Sequence, residues 1–142
     1  MAFWLLKTEP SEYSWDDLIR DGRAVWDGVT HAAALINMRQ VKPGDEVIIY
    51  HTGDERAAVG IARIVSAPYP DPKAPDPRIV AFDLEPVRPL PRPVTLAEVK
   101  ADPAFAGFAL VRVPRLSVMP VSASHWRRLL QLAGEERAPH HR

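Results

Sequence analysis

The middle of the chain limits the fold most. EVIIYHT (Glu46–Thr52) and AVGIARIVSA (Ala58–Ala67) are rich in Val, Ile and Tyr and are joined by the polar loop GDER. Such residues suit a pleated, half-buried surface, so both runs read as strands and the fold must be built around a sheet. Three further segments can join it: Phe3–Lys7 (FWLLK), closed by Pro10, Arg23–Asp27 (RAVWD) and Leu116–Val121 (LSVMPV). A fourth, RIVAFDLEPV (Arg78–Val87), alternates Val80, Phe82 and Leu84 against Ile79, Ala81 and Asp83. PYPDPKAPDP cannot enter the sheet as a central strand, because proline donates no ladder hydrogen bond.

Helices fill the intervals. Ser14 suits the cap of YSWDDLIRDG, with Asp16 and Asp17 in the first turn and Gly22 as its stop. Thr30–Val41 is alanine- and methionine-rich, hence helical, and KPGD (Lys42–Asp45) is a turn. Thr95 caps LAEVKAD. SASHWRRLLQLAG is amphipathic, capped by Ser122 or Ser124, with Trp126, Leu129, Leu130 and Ala133 inward and Gly134 as its end. Five or six short strands with helices between them predict an α+β fold, a small mixed barrel with peripheral helices. Regular strand–helix alternation and a Gly-rich phosphate loop are both missing, which argues against a doubly wound sheet. At 142 residues the chain fits one domain, read as 1–133, followed by a disordered tail from 134 to 142.

Composition narrows the function. There is no cysteine, so neither disulfides nor thiolate chemistry are available. No apolar run approaches the roughly 20 residues of a bilayer span, and FWLL is too short for a secretory signal, so a cytoplasmic setting is expected. Basic and acidic residues balance at 18 each. A duplex binder working through phosphates would show a basic excess. Contact with nucleic acid would therefore run through a pocket more than through a charged surface. Among the five histidines there is no H-E-x-x-H pair, and the chain has no G-x-S-x-G elbow and no P-loop. Asp16 and Asp17 are adjacent, so on a helix they diverge by about 100° and cannot share a proton. No metal or other cofactor is expected.

What remains is a set of polar and aromatic groups at strand ends: Lys7-Thr8-Glu9 after FWLL, Trp26-Asp27-Gly28-Val29 after AVW, and Tyr50-His51 after EVII. In a small barrel such ends gather at one mouth, a natural ligand pocket. An indole face, a phenol and nearby backbone groups suit a flat, partly polar ligand such as a nucleobase. Trp4, Trp15 and Trp126 are assigned to packing. Two other readings stay open: an enzyme using His51 or Glu9 as acid or base, and a protein-interaction module using the Pro68–Pro77 loop and the arginines at 112, 115, 127 and 128.

WLLKTEPSEYSWDDL, VWDGV, M-R-x-V-K-P-G-D, VIIYHT, VGIA, SAPYPDP, VRPLPRPVTLAEVKAD and RLSVMPV, in that order, resemble the EVE domain family of the PUA-like superfamily. The resemblance runs from about Phe3 to Leu130. It implies a PUA-like barrel that binds and does not catalyse, related to the YTH readers of methylated adenine. It also implies a nucleic-acid partner, DNA or RNA, carrying a modified base such as a methylated or hydroxymethylated cytosine. Carried over by position, the pocket would use Lys7, Thr8, Glu9, Trp26, Asp27, Gly28, Val29, Tyr50, His51, Leu116 and Ser117, with Asn37 and Arg39 near their expected places. Trp26 falls where the YTH relatives place a cage tryptophan. One departure is clear: after W-D-G-V the family often reads R-N-Y-Q-A-R-N, and here the chain reads THAAALIN. Lost polar groups would make the pocket wider or more apolar. On this reading Trp26→Ala abolishes base binding and leaves the thermal midpoint nearly unchanged.

Overall fold

The computed structural model describes residues 1–135. Its centre is the ladder expected from sequence: β3 (Glu46–His51) and β4 (Ala57–Ile64) pair antiparallel, with Ile48 opposite Ile61. β1 (Phe3–Thr8) lies parallel to β3, and β7 (Val118–Val121) pairs antiparallel on its far side. A parallel neighbour needs a long crossover. Here that crossover carries α1 (Trp15–Asp21), β2 (Ala24–Trp26) and α2 (Ala32–Met38). On the other flank β6 (Val80–Thr95) pairs with β4, and β2 pairs with β6, giving the order β2-β6-β4-β3-β1-β7. The fold is the expected α+β mixed sheet of six strands with peripheral helices, curled into a half-barrel with two free edges.

β6 explains the curl. It runs for 16 residues, and its register against β4 shifts between Ala58 and Gly60 and again between Ile61 and Ala62. Such irregularities bend and twist a strand. The sequence reading ended this strand at Val87, before PLPRP. The structure carries it on to Thr95, because from Arg88 onward β6 has β4 on one side only. Proline is tolerated where a strand's outer N–H groups meet no ladder. The connector before it also adds a two-residue β5 (Tyr69–Pro70) beside Ala81 and Val80.

The helix ends follow their capping chemistry. Ser14 accepts from the Asp17 N–H while Asp17 accepts from the Ser14 N–H, and Gly22 closes α1 at φ +71°. Thr95 and Glu98 repeat the reciprocal pair for α3 (Leu96–Ala101). DPAFAGFALVR, left without regular structure by the sequence reading, forms a 3₁₀ turn (Pro103–Phe105) and the short α4 (Ala109–Arg112), which bury Phe105, Phe108 and Leu110. α5 (Ala123–Leu132) is capped by Ser122 and stacks Trp126 on Phe3, ring centroids 4.4 Å apart. Trp4, Trp15 and Trp126 are all buried in the core. Of the segment expected as a tail, Gly134 and Glu135 are described, and Glu135 forms a two-bond ion pair with Arg88 (2.7 and 2.8 Å); 136–142 lie outside the described residues.

Candidate functional site

The curl brings the β2 edge opposite the end of β1, and a cavity of about 520 Å³ lies in that seam. This is within the usual range for small-ligand sites. Of the residues singled out from sequence, Lys7, Thr8, Glu9, Trp26, Asp27 and Val29 line it. The abrupt polar end of FWLLKTEP now has a local cause. The Thr8 hydroxyl donates to the Tyr13 carbonyl (2.6 Å), and the Tyr13 and Glu12 N–H groups donate to the Glu9 carbonyl. This turn delivers Tyr13 and Glu12 to the cavity along with Lys7 and Glu9. The sequence reading missed Glu12, Tyr13, Asp21, Arg23, Ala24 and Val25, which complete the lining.

The walls are acidic. Glu9, Glu12, Asp21 and Asp27 outnumber Lys7 and Arg23. Arg23 is held by Asp83 (2.9 Å) and Glu85 (3.5 Å). The Lys7 ammonium donates to the Pro114 carbonyl (2.7 Å) and sits 5.8 Å from the centre of the Tyr50 ring. Partial burial holds the Lys7 pKa below the usual lysine value. The Tyr13 hydroxyl donates to Asp21 (2.9 Å); burial first, then that carboxylate, push its pKa up to about 12. Tyr13 is therefore a neutral phenol at any ordinary pH. Trp26 is 9% exposed and its backbone is fixed in the ladder opposite Phe82. It is neither sealed in the core nor free at an open mouth: it is a core residue that borders the cavity.

The remaining predicted residues lie elsewhere. Gly28 adopts φ +74°, and its N–H donates to the buried carboxylate of Asp71 (3.1 Å). Asp71 also accepts from the Lys73 N–H (2.9 Å), and these two backbone donors hold its pKa below the usual aspartate value. With Asp27 and Asp71, Gly28 lines a neighbouring, more apolar cleft of about 420 Å³. Asn37 donates to the Val118 carbonyl (2.7 Å) and Arg39 to that of Arg78 (2.6 Å), so both pin α2 in place. Leu116 is buried, and the Ser117 carbonyl accepts from the Lys7 N–H (2.9 Å). Tyr50 is buried behind Lys7. His51 has both ring nitrogens engaged. Nε2 accepts the backbone N–H of Trp15 (2.9 Å), an otherwise unpaired donor of the first helical turn, so the ring proton sits on Nδ1 and goes to Glu55 (2.8 Å). That is a structural capping role with no nitrogen left over for acid–base chemistry. Among the described residues, no group of three or more His, Cys, Asp or Glu is placed to hold a metal ion.

A curled mixed sheet with a cavity at its seam defines a class of small α+β half-barrel domain. The chain belongs to the EVE domain family, whose model matches residues 2–132. Mouse thymocyte nuclear protein 1 is 30% identical, the match covering 94% of this chain and 74% of that protein. Among solved structures, Rpa0253 from Rhodopseudomonas palustris superposes with a TM-score of 0.93 at 39% identity, covering 99% of each chain. Human THYN1, solved in complex with DNA containing 5-methylcytosine, superposes with a TM-score of 0.87 at 26% identity, covering 98% of this chain and 100% of that one.

Proposed function

We propose that this domain is a non-catalytic reader that holds a modified nucleobase, a cytosine methylated or hydroxymethylated at C5, in the seam cavity. The observation that carries the proposal is the cavity itself, with Trp26 and Tyr13 in its walls among carboxylates. Aromatic walls supply stacking worth about 1–3 kcal/mol per base. Carboxylates accept from the exocyclic amine of cytosine, which thymine lacks. The same carboxylates repel phosphate, so the base enters and the backbone stays at the rim. That a relative, human THYN1, was solved with 5-methylcytosine DNA supports the choice of base. The buried, doubly engaged His51 weighs against an acid–base role for that residue.

Because Trp26 is buried in a ladder, Trp26→Phe is a cleaner variant than Trp26→Ala. The test is fluorescence anisotropy with short oligonucleotides that differ only in one central base, 5-methylcytosine or cytosine. Wild type is expected to prefer the methylated base several-fold, since one buried methyl is worth roughly 0.8 kcal/mol. Trp26→Phe is expected to weaken binding while the protein stays folded. Affinity should fall only shallowly with salt, since few phosphates are neutralised. Equal binding of both oligonucleotides, unchanged by Trp26→Phe, would overturn the proposal.

A further inference from the structure

5-Methylcytosine and thymine carry the same methyl group at C5. They differ at position 4, amine against carbonyl, and at N3, bare against protonated. A pocket that reads only the methyl group and the ring faces would confuse them.

The β2 edge holds a group that can separate them. On β6, the Asp83 N–H donates to Ser66 Oγ and the Asp83 carbonyl accepts from the Val65 N–H, both at 2.9 Å. Asp83 therefore turns its peptide groups toward the β4 side. Successive residues of a strand address opposite neighbours. Phe82 and Leu84 must then address β2, where they face Trp26 and Ala24. Val25, between them and opposite Asp83, turns its N–H and C=O away from β6. β2 pairs with no other strand, and no partner for these two groups is found among the described residues. Val25 lines the cavity and is 49% exposed. The seam wall thus presents one free donor and one free acceptor, side by side and in fixed order.

We infer that the Val25 backbone reads the edge of the bound base, its N–H donating to N3 and its C=O accepting from the N4 amine of a C5-modified cytosine. The inference rests on the proposed function of the same cavity. Thymine offers the opposite order, with a proton on N3 and a carbonyl at position 4. With the methyl group seated alike, each contact would set donor against donor or acceptor against acceptor. An Asn or Gln side chain could rotate its amide to suit either base. A backbone held in a ladder cannot, so the discrimination is built into the strand.

A good two-point pair discriminates by about 1–3 kcal/mol, or about 5- to 150-fold in affinity. Anisotropy would compare single-stranded oligonucleotides carrying one 5-methylcytosine, one thymine, or one 5-methyl-2-pyrimidinone, which lacks the amine. Wild type is expected to bind the first at least about fivefold tighter than either of the others. Val25→Pro removes the outward N–H without breaking a ladder bond, since proline is tolerated at such edge positions. It should narrow the preference over thymine, whose N3 proton opposes that N–H, and keep the preference over 5-methyl-2-pyrimidinone, which depends on the retained Val25 C=O. Val25→Thr, which keeps the amide, should retain both. If Val25→Pro fails to fold, replacing Val25 by its α-hydroxy acid, which turns that one amide into an ester and keeps the side chain, makes the same comparison with thymine. An unchanged preference there overturns the role of the Val25 N–H. Equal wild-type affinity for 5-methylcytosine and 5-methyl-2-pyrimidinone, with 5-methylcytosine bound, overturns the role of Val25 and leaves the proposed function standing. Failure to bind any of the oligonucleotides overturns both.

Discussion

Trp15 and Trp26 are almost equally hidden, at 7% and 9% exposure, yet they face different things. Trp15 opens α1, and its ring lies so close to the Gly60 backbone that a methyl there would stand 2.6 Å from the ring atoms. Its own N–H is taken by His51. Trp26 ends β2 with its backbone equally fixed, but a cavity adjoins it. The fraction of a ring that is buried therefore does not separate packing from recognition. What lies against the ring does: protein atoms in one case, space for a guest in the other.

The largest effect should come from truncating the packed ring. Trp15→Ala is expected to destabilise the protein by about 3–5 kcal/mol, the range for removing a core aromatic. Urea unfolding would show it, and base affinity measured on the folded protein should change little. Trp26→Ala should cost about 3 kcal/mol, the low end of that range, because a ring beside a cavity has fewer contacts to lose. It should also abolish base binding. The nearly unchanged midpoint expected from sequence for Trp26→Ala does not fit a residue this buried. If the two variants unfold alike and bind alike, the contrast between the rings is broken.

Glycines sharpen the same contrast. Gly60→Ala places a methyl inside the Trp15 ring system, and overpacking of that kind costs about 1–3 kcal/mol. Gly28→Ala meets no atom within 4 Å and is penalised only through its φ of +74°, about 1 kcal/mol. The smaller loss should nevertheless do more harm to binding, because Gly28 anchors the turn that follows Trp26 and Asp27. Thermal midpoints and anisotropy on the two variants would rank them in opposite order.

The parts of this fold that were legible in the sequence are those fixed by neighbouring residues. Ser14 and Thr95 announce α1 and α3 because an N-cap is a local choice of residue, and the structure adds the reciprocal bonds from Asp17 and Glu98. The central strands announce themselves by β-branched content. β6 beyond Val87 was not legible, since its prolines are acceptable only once one side of the strand is known to be free. α4 was missed because DPAFAGFALVR has no sustained helical period. The site divided the same way. Lys7 through Glu9 and the Trp26 segment stood out as polar ends of apolar runs, and both line the cavity. Tyr50 and His51 have the same signature at the end of β3 but lie behind it, because the seam forms between β1 and β2. Tyr13 precedes α1, Asp21 ends it and Arg23 follows its Gly22 cap, positions where nothing local marks a residue as lining a cavity. Tyr13 stands three residues after the Pro10 of KTEP and next to the Ser14 cap, a position that carries no sequence signal of its own.

The smallest effect concerns pH and again divides the two rings. Asp71 ties the Trp26 side together by accepting from Gly28 and Lys73, and those bonds hold its folded-state pKa below the ordinary aspartate value of about 3.9. A lowered folded-state pKa means that the carboxylate's contribution is fully present above the unfolded value and is lost as pH falls through the folded one. Global stability cannot isolate it, since Asp17, Asp83 and Asp102 are also held low by their own partners and fade in the same window. The discriminating readout is local. The emission of Trp26, followed in a Trp4→Phe, Trp15→Phe, Trp126→Phe background, should begin to change below about pH 4 before the fold is lost. Asp71→Asn should remove that early phase, because an amide oxygen can hold the Gly28 N–H without titrating. Trp15 emission in the reciprocal background should respond to acid identically with and without Asp71→Asn, since its neighbouring acid-sensitive contact is the Asp17 cap on Ser14 and not Asp71. An early acid phase at Trp26 that survives Asp71→Asn would mean that the Asp71 carboxylate does not set the acid response of the Trp26 turn.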